Sequence, residues 1–258
     1  MITDSHLHFD SFYSNGNLDK IIENAKKSHV SKMISVGGTP DANELSIKLA
    51  TENKNLIYAS AGYDRDVVKI TYDVDNLKKQ VMNPLVKAVG ETGLDYYHSE
   101  DNKLLQQELF NINLSLATEF NKPVIVHSRA ATLDTITILK DYPLRTSGFL
   151  GVLHCFTLDL KAARELLDIG MMISFSGILT FKNADSLRRI VKYIPDDALL
   201  VETDAPYLAP EPKRGKENEP SLIAYTIKKL SELKKISFEE IASLTSKNAK
   251  RLFNLDED

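Results

Sequence analysis

The amino-acid sequence predicts a single-domain (β/α)8 TIM barrel, and three observations carry that prediction. Short β-branched runs alternate with amphipathic segments along the whole chain, so strands pair in parallel through helical crossovers. The alternation yields eight such units in 258 residues, the number and size of a (β/α)8 barrel. The main rival, an open doubly wound sheet, wants a glycine-rich phosphate loop after an early strand. Gly37-Gly38 is the one adjacent glycine pair, and neither GxGxxG nor GxxxxGK[ST] occurs.

Taken in order, the expected strands are Ile2 to His6, Met33 to Gly37, Ile57 to Gly62, Val86 to Glu91, Val124 to His127, Gly151 to His154, Met172 to Phe175 and Leu199 to Glu202. Most are flanked by Gly, Pro, Asn or Asp, which end strands. Helices are expected near Asp19 to Lys27, Asn43 to Glu52, Asp75 to Met82, Lys103 to Glu119, Leu133 to Lys140, Lys161 to Asp168 and Ser186 to Lys192. Two more, about Ser221 to Leu233 and Phe238 to Lys247, follow the last strand. An example is Lys103 to Glu119, where Leu104, Leu105, Leu109, Ile112, Leu116 and Phe120 mostly recur at helical spacing. Length alone leaves one large or two small domains open. With no internal repeat, low-complexity tract or long linker, one domain over 1–258 is expected. Pro206 to Pro220 is a Pro-rich, charged loop long enough to be functional.

Hydrophobic residues make up 43% and charged residues 26% of the chain, enough to bury a sizeable core and too balanced for wholesale disorder. No apolar run is long enough for a membrane span, and Asp4, His6, His8 and Asp10 interrupt the stretch a signal peptide would need. The single cysteine, Cys155, has no internal disulfide partner. A cytoplasmic protein without membrane attachment is expected. The formal charge of −4, from 32 basic and 36 acidic residues, gives no global positive field, so any nucleic-acid contact must be local. Tryptophan is absent, and no aromatic stacking stripe stands out.

In a barrel of this kind the chemistry belongs at the C-terminal ends of the strands. Four of the six histidines fall there: His6 and His8 end the first strand, His127 the fifth and His154 the sixth. Glu91 ends the fourth strand and Asp204 follows the eighth. Two residues apart in an extended strand, His6 and His8 point to one face and can reach one ion. Alone, an HxH pair is as well read as two hydrogen-bonded polar residues, Glu91 as half of a buried salt bridge, and Asp204 as a turn cap. Six nitrogen and oxygen donors on one rim are harder to explain singly. They are too many for one four-coordinate ion and suit two divalent ions about 3.5 to 4 Å apart, with Glu91, central in strand order, as the bridge. Arg129, Lys213, Arg214 and Lys216, with Lys182 after the seventh strand, are candidate phosphate contacts beside such a centre, although basic runs are commonly solvated surface. His29 is assigned no role, His98 a loop role near Glu91, and Cys155 a packing role.

At these residues the sequence resembles the TatD-family metal-dependent deoxyribonucleases. The resemblance rests on Asp4-Ser-His-Leu-His8, Gly90-Glu-Thr-Gly-Leu-Asp-Tyr96, Pro123-Val-Ile-Val-His-Ser-Arg129, His154-Cys-Phe156, Glu202-Thr-Asp-Ala-Pro-Tyr-Leu-Ala-Pro210 and Arg214-Gly-Lys-Glu-Asn-Glu-Pro220, which run from the first strand to the last helices. It implies a TIM-barrel hydrolase with two divalent metals that acts on DNA as a nuclease, typically from the 3′ end. Carried over, His6, His8 and Asp204 hold one metal, His127 and His154 the other, and Glu91 bridges. Glu202 stands behind the ligands and is counted with Glu91 and Asp204 among the catalytic candidates. Two departures are visible: Thr157-Leu-Asp159 replaces a usual Ser-Gly, which bears on substrate rather than on metal, and Thr92 stands where isoleucine is common.

The expected chemistry is attack on phosphorus by a water whose pKa the ions lower, with Asp204 orienting it or taking its proton. The ions are Mg, Mn, Zn or Co, which such donors do not distinguish. DNA is the expected partner, with a monomer as the default and no obligate protein partner. Two rivals stay open. One is a small-molecule hydrolase on the same barrel, cleaving a phosphoester, amide or lactone. The other is a binding protein that has kept the barrel without catalysis.

Overall fold

The computed structural model describes residues 1–67, 73–97, 102–142 and 148–256. Eight strands form one sheet in sequence order, every neighbouring pair parallel: β1 (Ile2–Leu7), β2 (Val30–Ser35), β3 (Ile57–Ala61), β4 (Val86–Asp95), β5 (Val124–Arg129), β6 (Gly151–Leu153), β7 (Met171–Phe175) and β8 (Leu199–Val201). The described helices are α1 (Asp10–Ser14), α2 (Leu18–Lys27), α3 (Pro40–Glu52), α4 (Val74–Met82), α5 (Lys103–Glu119), α6 (Thr132–Lys140), α7 (Leu160–Asp168), α8 (Asp185–Val191), α9 (Ile223–Lys234) and α10 (Phe238–Phe253). This is the (β/α)8 barrel that the alternation predicts. None of these helices is long and apolar enough to cross a membrane.

Differences from the sequence-based boundaries have local causes. The short α1 was not expected; it buries only Phe12 and carries no periodic signal of its own. Helix α3 starts at Pro40 rather than Asn43, because Thr39 accepts a hydrogen bond from the Ala42 N–H and proline suits the first turn. Helix α10 runs six residues past Lys247, its start fixed by a Ser237–Glu240 capping box. Strand β4 runs past Glu91 to Asp95, with a register irregularity between Val89 and Thr92. Beyond it Gly93 pairs with His127 of β5.

Two apolar layers follow from the period of two along a strand. One residue from most strands (Ile34, Tyr58, Ala88, Ile125, Val152, Met172, Leu200) joins a small lumen cluster, which Leu252, Phe253 and Leu255 close from below. The intervening residues face the helices in a larger cluster. Two positions further along β5, β6 and β8, the lumen-facing residue becomes His127, His154 and Glu202, so the alternation that fills the barrel also aims these groups into its mouth.

The seam between β1 and β8 is closed by the chain that follows β8. Leu7 bridges Ala205 in parallel, the Asp204 N–H donates to the His6 carbonyl at 3.0 Å, and the His8 N–H donates to the Ala205 carbonyl at 2.8 Å. The buried Asp4 carboxylate reinforces it, accepting from the Thr203 N–H at 2.9 Å and the Thr203 hydroxyl at 2.5 Å.

Close backbone approach at the top of β4 admits only glycine. A Cβ on Gly93 would lie 2.1 Å from the His127 carbonyl oxygen, at a φ of +129° that side chains rarely adopt. Gly93→Ala is therefore expected to destabilise the fold by about 3 kcal/mol, lowering the thermal midpoint by roughly 10 °C. An unchanged midpoint in calorimetry would show that β4 and β5 can part without cost.

Candidate metal centre

Three groups of metal-ligand residues converge at the mouth of the barrel: His6, His8 and Asp204; Glu91, His127 and His154; and His6, His154 and Glu202. The first two meet on Glu91, which is buried. Its Oε2 lies 3.5 Å from His6 Nε2 and 3.5 Å from His8 Nε2. Its Oε1 lies 3.4 Å from His127 Nδ1 and 3.4 Å from His154 Nε2. Asp204 Oδ1 completes the first group at 3.5 Å from His6 Nε2 and 3.6 Å from His8 Nε2. One carboxylate thus gives one oxygen to each of two donor clusters.

The donors fit small divalent cations. Ligand bonds of about 2.0 to 2.1 Å in a tetrahedral arrangement set donors about 3.3 to 3.4 Å apart, and the spacings here are 3.2 to 3.6 Å. Two pairs of ring nitrogens face each other at 3.2 Å, His6 Nε2 with His8 Nε2 and His127 Nδ1 with His154 Nε2. On the far side of the second pair, His127 Nε2 is hydrogen-bonded at 3.2 Å to Asp95 Oδ2, whereas His154 Nδ1 faces Glu202 Oε1 at an ion-pair distance of 3.4 Å and makes no hydrogen bond among the described residues. The carboxylate behind His127 fixes its tautomer and leaves the inward nitrogen its lone pair, while Glu202 sets a negative charge behind His154.

Without bound cations the donors ion-pair with one another. Burial opposes ionisation of Glu91, but His154 and Arg65 outweigh it and hold its carboxyl well below the usual range. Burial likewise opposes the His154 cation, and Glu91 and Glu202 push its pKa up to about 10. Burial lowers the pKa of His6 and of His127, whereas Asp204 and Glu91 overcome burial and raise that of His8. Asp204 stays a carboxylate, its burial offset by His8 and His6. Asp204 also holds a left-handed φ of +56°, the kind of backbone strain that persists where surrounding structure imposes it. Its turn is held from outside by Asn218, whose side-chain amide donates to the Thr203 and Tyr207 carbonyls at 2.8 and 2.6 Å.

Above the clusters lies a cavity of about 430 Å³, whose lining includes His8, Arg65, Arg129, Thr157, Tyr207 and Cys155. Arg129 stands over the exposed Tyr97 ring, 3.7 Å from its centroid. Lys182, Lys213, Arg214 and Lys216 do not line it among the described residues. Lys182 and Lys216 are exposed and Lys213 half-buried, and Arg214 is stacked 3.7 Å over the Phe181 ring. Cys155 corrects the sequence reading: β6 ends at Leu153 and Cys155 takes a φ of +45°, so it turns into the cavity rather than away. Burial, with Asp204 and Glu202 nearby, pushes its thiol well above the usual range, which disfavours the thiolate. Thr157 joins the cavity lining while Asp159 caps α7, accepting from the Ala162 N–H at 2.8 Å. His98 lies outside the described residues.

Sequence reasoning missed Arg65, Asp95 and Asn218. Arg65 Nη1 donates to Glu91 Oε1 at 2.6 Å, from the turn after β3, where no sequence period marks it. Asp95 and Asn218 stood inside quoted motifs without a role. The alternation on β5 to β4 pairing could have found Asp95, but the irregularity before Thr92 hides it.

Comparison with known proteins agrees with this centre. The family model of the TatD-related DNases matches residues 3–254. The chain is 40% identical to the uncharacterized metal-dependent hydrolase YabD of Bacillus subtilis, covering 99% of this chain and 100% of that protein. It is 41% identical to the uncharacterized metal-dependent hydrolase YcfH of Escherichia coli, covering 99% and 96%. Among solved structures, the TatD homologue YJJV of Escherichia coli superposes with a TM-score of 0.91 at 29% identity, covering 99% of this chain and 98% of that one. By its motifs, its barrel and its relatives, this chain belongs to the TatD family of metal-dependent hydrolases.

Proposed function

We propose that this hydrolase is a deoxyribonuclease that removes nucleotides from the 3′ end of DNA, with one divalent ion held by His6, His8 and Asp204, a second by His127 and His154, and Glu91 shared between them. The observation that carries the reading is the placement of a stacked arginine–aromatic pair at the rim of the cavity over these clusters. Arg129 offers a guanidinium to a phosphate, while Tyr97 and Tyr207, 64% and 61% exposed, offer rings to bases. They follow β4 and β8, on different sides of the mouth. A cavity of about 430 Å³ is in the range of small-molecule sites, which favours one terminal nucleotide at a time over a run of duplex. The family description supports DNA as the polymer.

When bound, the ions supply Lewis acidity, making water a better nucleophile and drawing charge from the phosphoryl group. The chain's own part is positional. Asp95 keeps the inward nitrogen of His127 free, Glu202 places a negative charge behind His154, and Asp204, held ionised, accepts a proton from attacking water through its carboxylate. Arg129 steadies the phosphate. Lys182, Lys213, Arg214 and Lys216 lie outside the cavity lining, and in this reading they meet the strand beyond the reacting nucleotide.

A 3′-labelled DNA oligonucleotide given Mg²⁺ or Mn²⁺ should lose its label before a 5′-labelled one shortens to its end. EDTA should stop the reaction, and Glu91→Ala and Glu91→Gln should each slow it about a hundredfold or more. Intact DNA with the metal-loaded wild type would move the reading to a small phosphoester or amide substrate on the same centre. Because the cationic groups are local on an acidic protein, cleavage should fall steeply between roughly 50 and 300 mM salt; a flat response would remove phosphate attraction from the account. Asp95→Ala should weaken binding of the second ion roughly tenfold by freeing the His127 ring, read by equilibrium dialysis with Mn²⁺, and an unchanged affinity would leave Asp95 without its orienting role.

A further inference from the structure

The two donor clusters are unequal, and the difference lies in one side chain. On the Oε2 side of Glu91 the ion-pair partners among the described residues are His6 and His8. On the Oε1 side, besides His127 and His154, stands a permanent cation: Arg65 Nη1 lies 2.6 Å from Oε1. That oxygen is the one carboxylate donor of the His127–His154 cluster. The first cluster, by contrast, has Asp204 as a second carboxylate. An ion arriving at the second cluster must therefore share an oxygen to which a guanidinium already donates, and must tolerate its charge in a largely buried site. A guanidinium does not lose its proton to make room.

Arg65 has somewhere to go. Its Nη1 is already 3.7 Å from Asp64 Oδ2 and its Nε 3.8 Å from Asp95 Oδ2. Its side chain is a quarter exposed, and it stands in the turn after β3 rather than in a strand, so a short swing toward these carboxylates releases Oε1. The same carboxylate Asp95 faces His127 Nε2 at 3.2 Å, so the guanidinium and the imidazole share one anchor.

We propose that Arg65 is a positioning residue that ranks the two metal sites, standing in for the second ion on Glu91 so that the His6–His8–Asp204 site fills first and the His127–His154 site fills only at higher metal concentration. This rests on the reading that both clusters bind a cation. It assigns Arg65 no contact with the reacting atoms.

The test is calorimetric titration of the metal-stripped full chain with Mn²⁺, at one pH, for the wild type, Arg65→Met, Arg65→Lys and Asp95→Ala. The wild type should show two sites of distinct affinity. Arg65→Met should tighten the weaker site roughly tenfold or more while changing the tighter one much less, and Arg65→Lys, which keeps the charge without the fork, should fall between. Asp95→Ala should move the weaker site the other way, which separates competition for Glu91 from support of His127. Manganese electron paramagnetic resonance gives an independent count: at one equivalent the wild type should show an isolated ion, and Arg65→Met an increased share of spin-coupled pairs. Two sites whose ratio does not respond to Arg65→Met or Arg65→Lys, or a weaker site that loosens on Arg65→Met while the protein melts as the wild type does, would overturn the role of Arg65. One ion at saturation in both the wild type and Arg65→Met would instead overturn the two-ion reading.

Discussion

The rest of the site depends on one buried carboxylate being able to face two ways. Glu91 sits almost out of solvent with one oxygen toward His6 and His8 and the other toward His127, His154 and Arg65. A carboxylate in that position is costly unless its lone pairs are used, and here five nitrogen-bearing side chains from four separate segments surround it. The backbone is arranged to allow it. Neighbouring strands approach so closely beside Glu91 that a Cβ on Gly62 would lie 2.6 Å from the Gly90 Cα. Glycines there are the steric condition for bringing the carboxylate to the centre of the mouth.

The second constraint is closure. A barrel assembled from β8 ending at Val201 leaves the first strand with little partner of its own, and the seam is made instead by Thr203 to Ala205. The same few residues that supply seam hydrogen bonds also carry Asp204, so closing the barrel and completing the first donor cluster are one event. Asp4 below and Asn218 outside satisfy the polar groups of this turn. That explains why an Asp two residues before the first histidine and an Asn fourteen residues after Asp204 belong to the same motif set although neither reaches the cavity.

How much of this is legible in the sequence depends on the kind of signal. Strand alternation and length give the barrel, and the parity of a strand gives the inward aim of His127 and His154 from Ile125 and Val152. What the sequence hides are the places where regular geometry breaks. The irregularity in β4 lets the strand run on to Asp95, which a period-two reading ends at Glu91. Cys155 turns into the cavity because its backbone is left-handed, while strand parity points it away. Arg65 is invisible because a turn has no period, and its partners lie 26 and 30 residues downstream. The basic loop Lys213 to Lys216 shows the converse: composition marks it, but Arg214 spends its guanidinium face on Phe181, outside the cavity lining.

Charge accounts for why the proposed phosphate substrate would need cations in the site first. Asp64, Glu91, Asp95, Glu202 and Asp204 gather five carboxylates around the mouth, against the guanidinium of Arg65 within it and Arg129 at its rim. Even with His154 held cationic by Glu91 and Glu202, the carboxylates outnumber the positive groups, a balance unfavourable to the phosphodiester of the proposed substrate. In the proposed reading, divalent cations would reverse the sign where the reacting phosphate would sit, and Arg65 would turn from Glu91 toward Asp64 and Asp95, carboxylates assigned no ion. On that same reading, electrostatics therefore orders metal occupancy before polyanion binding, because without cations the centre presents the wrong charge.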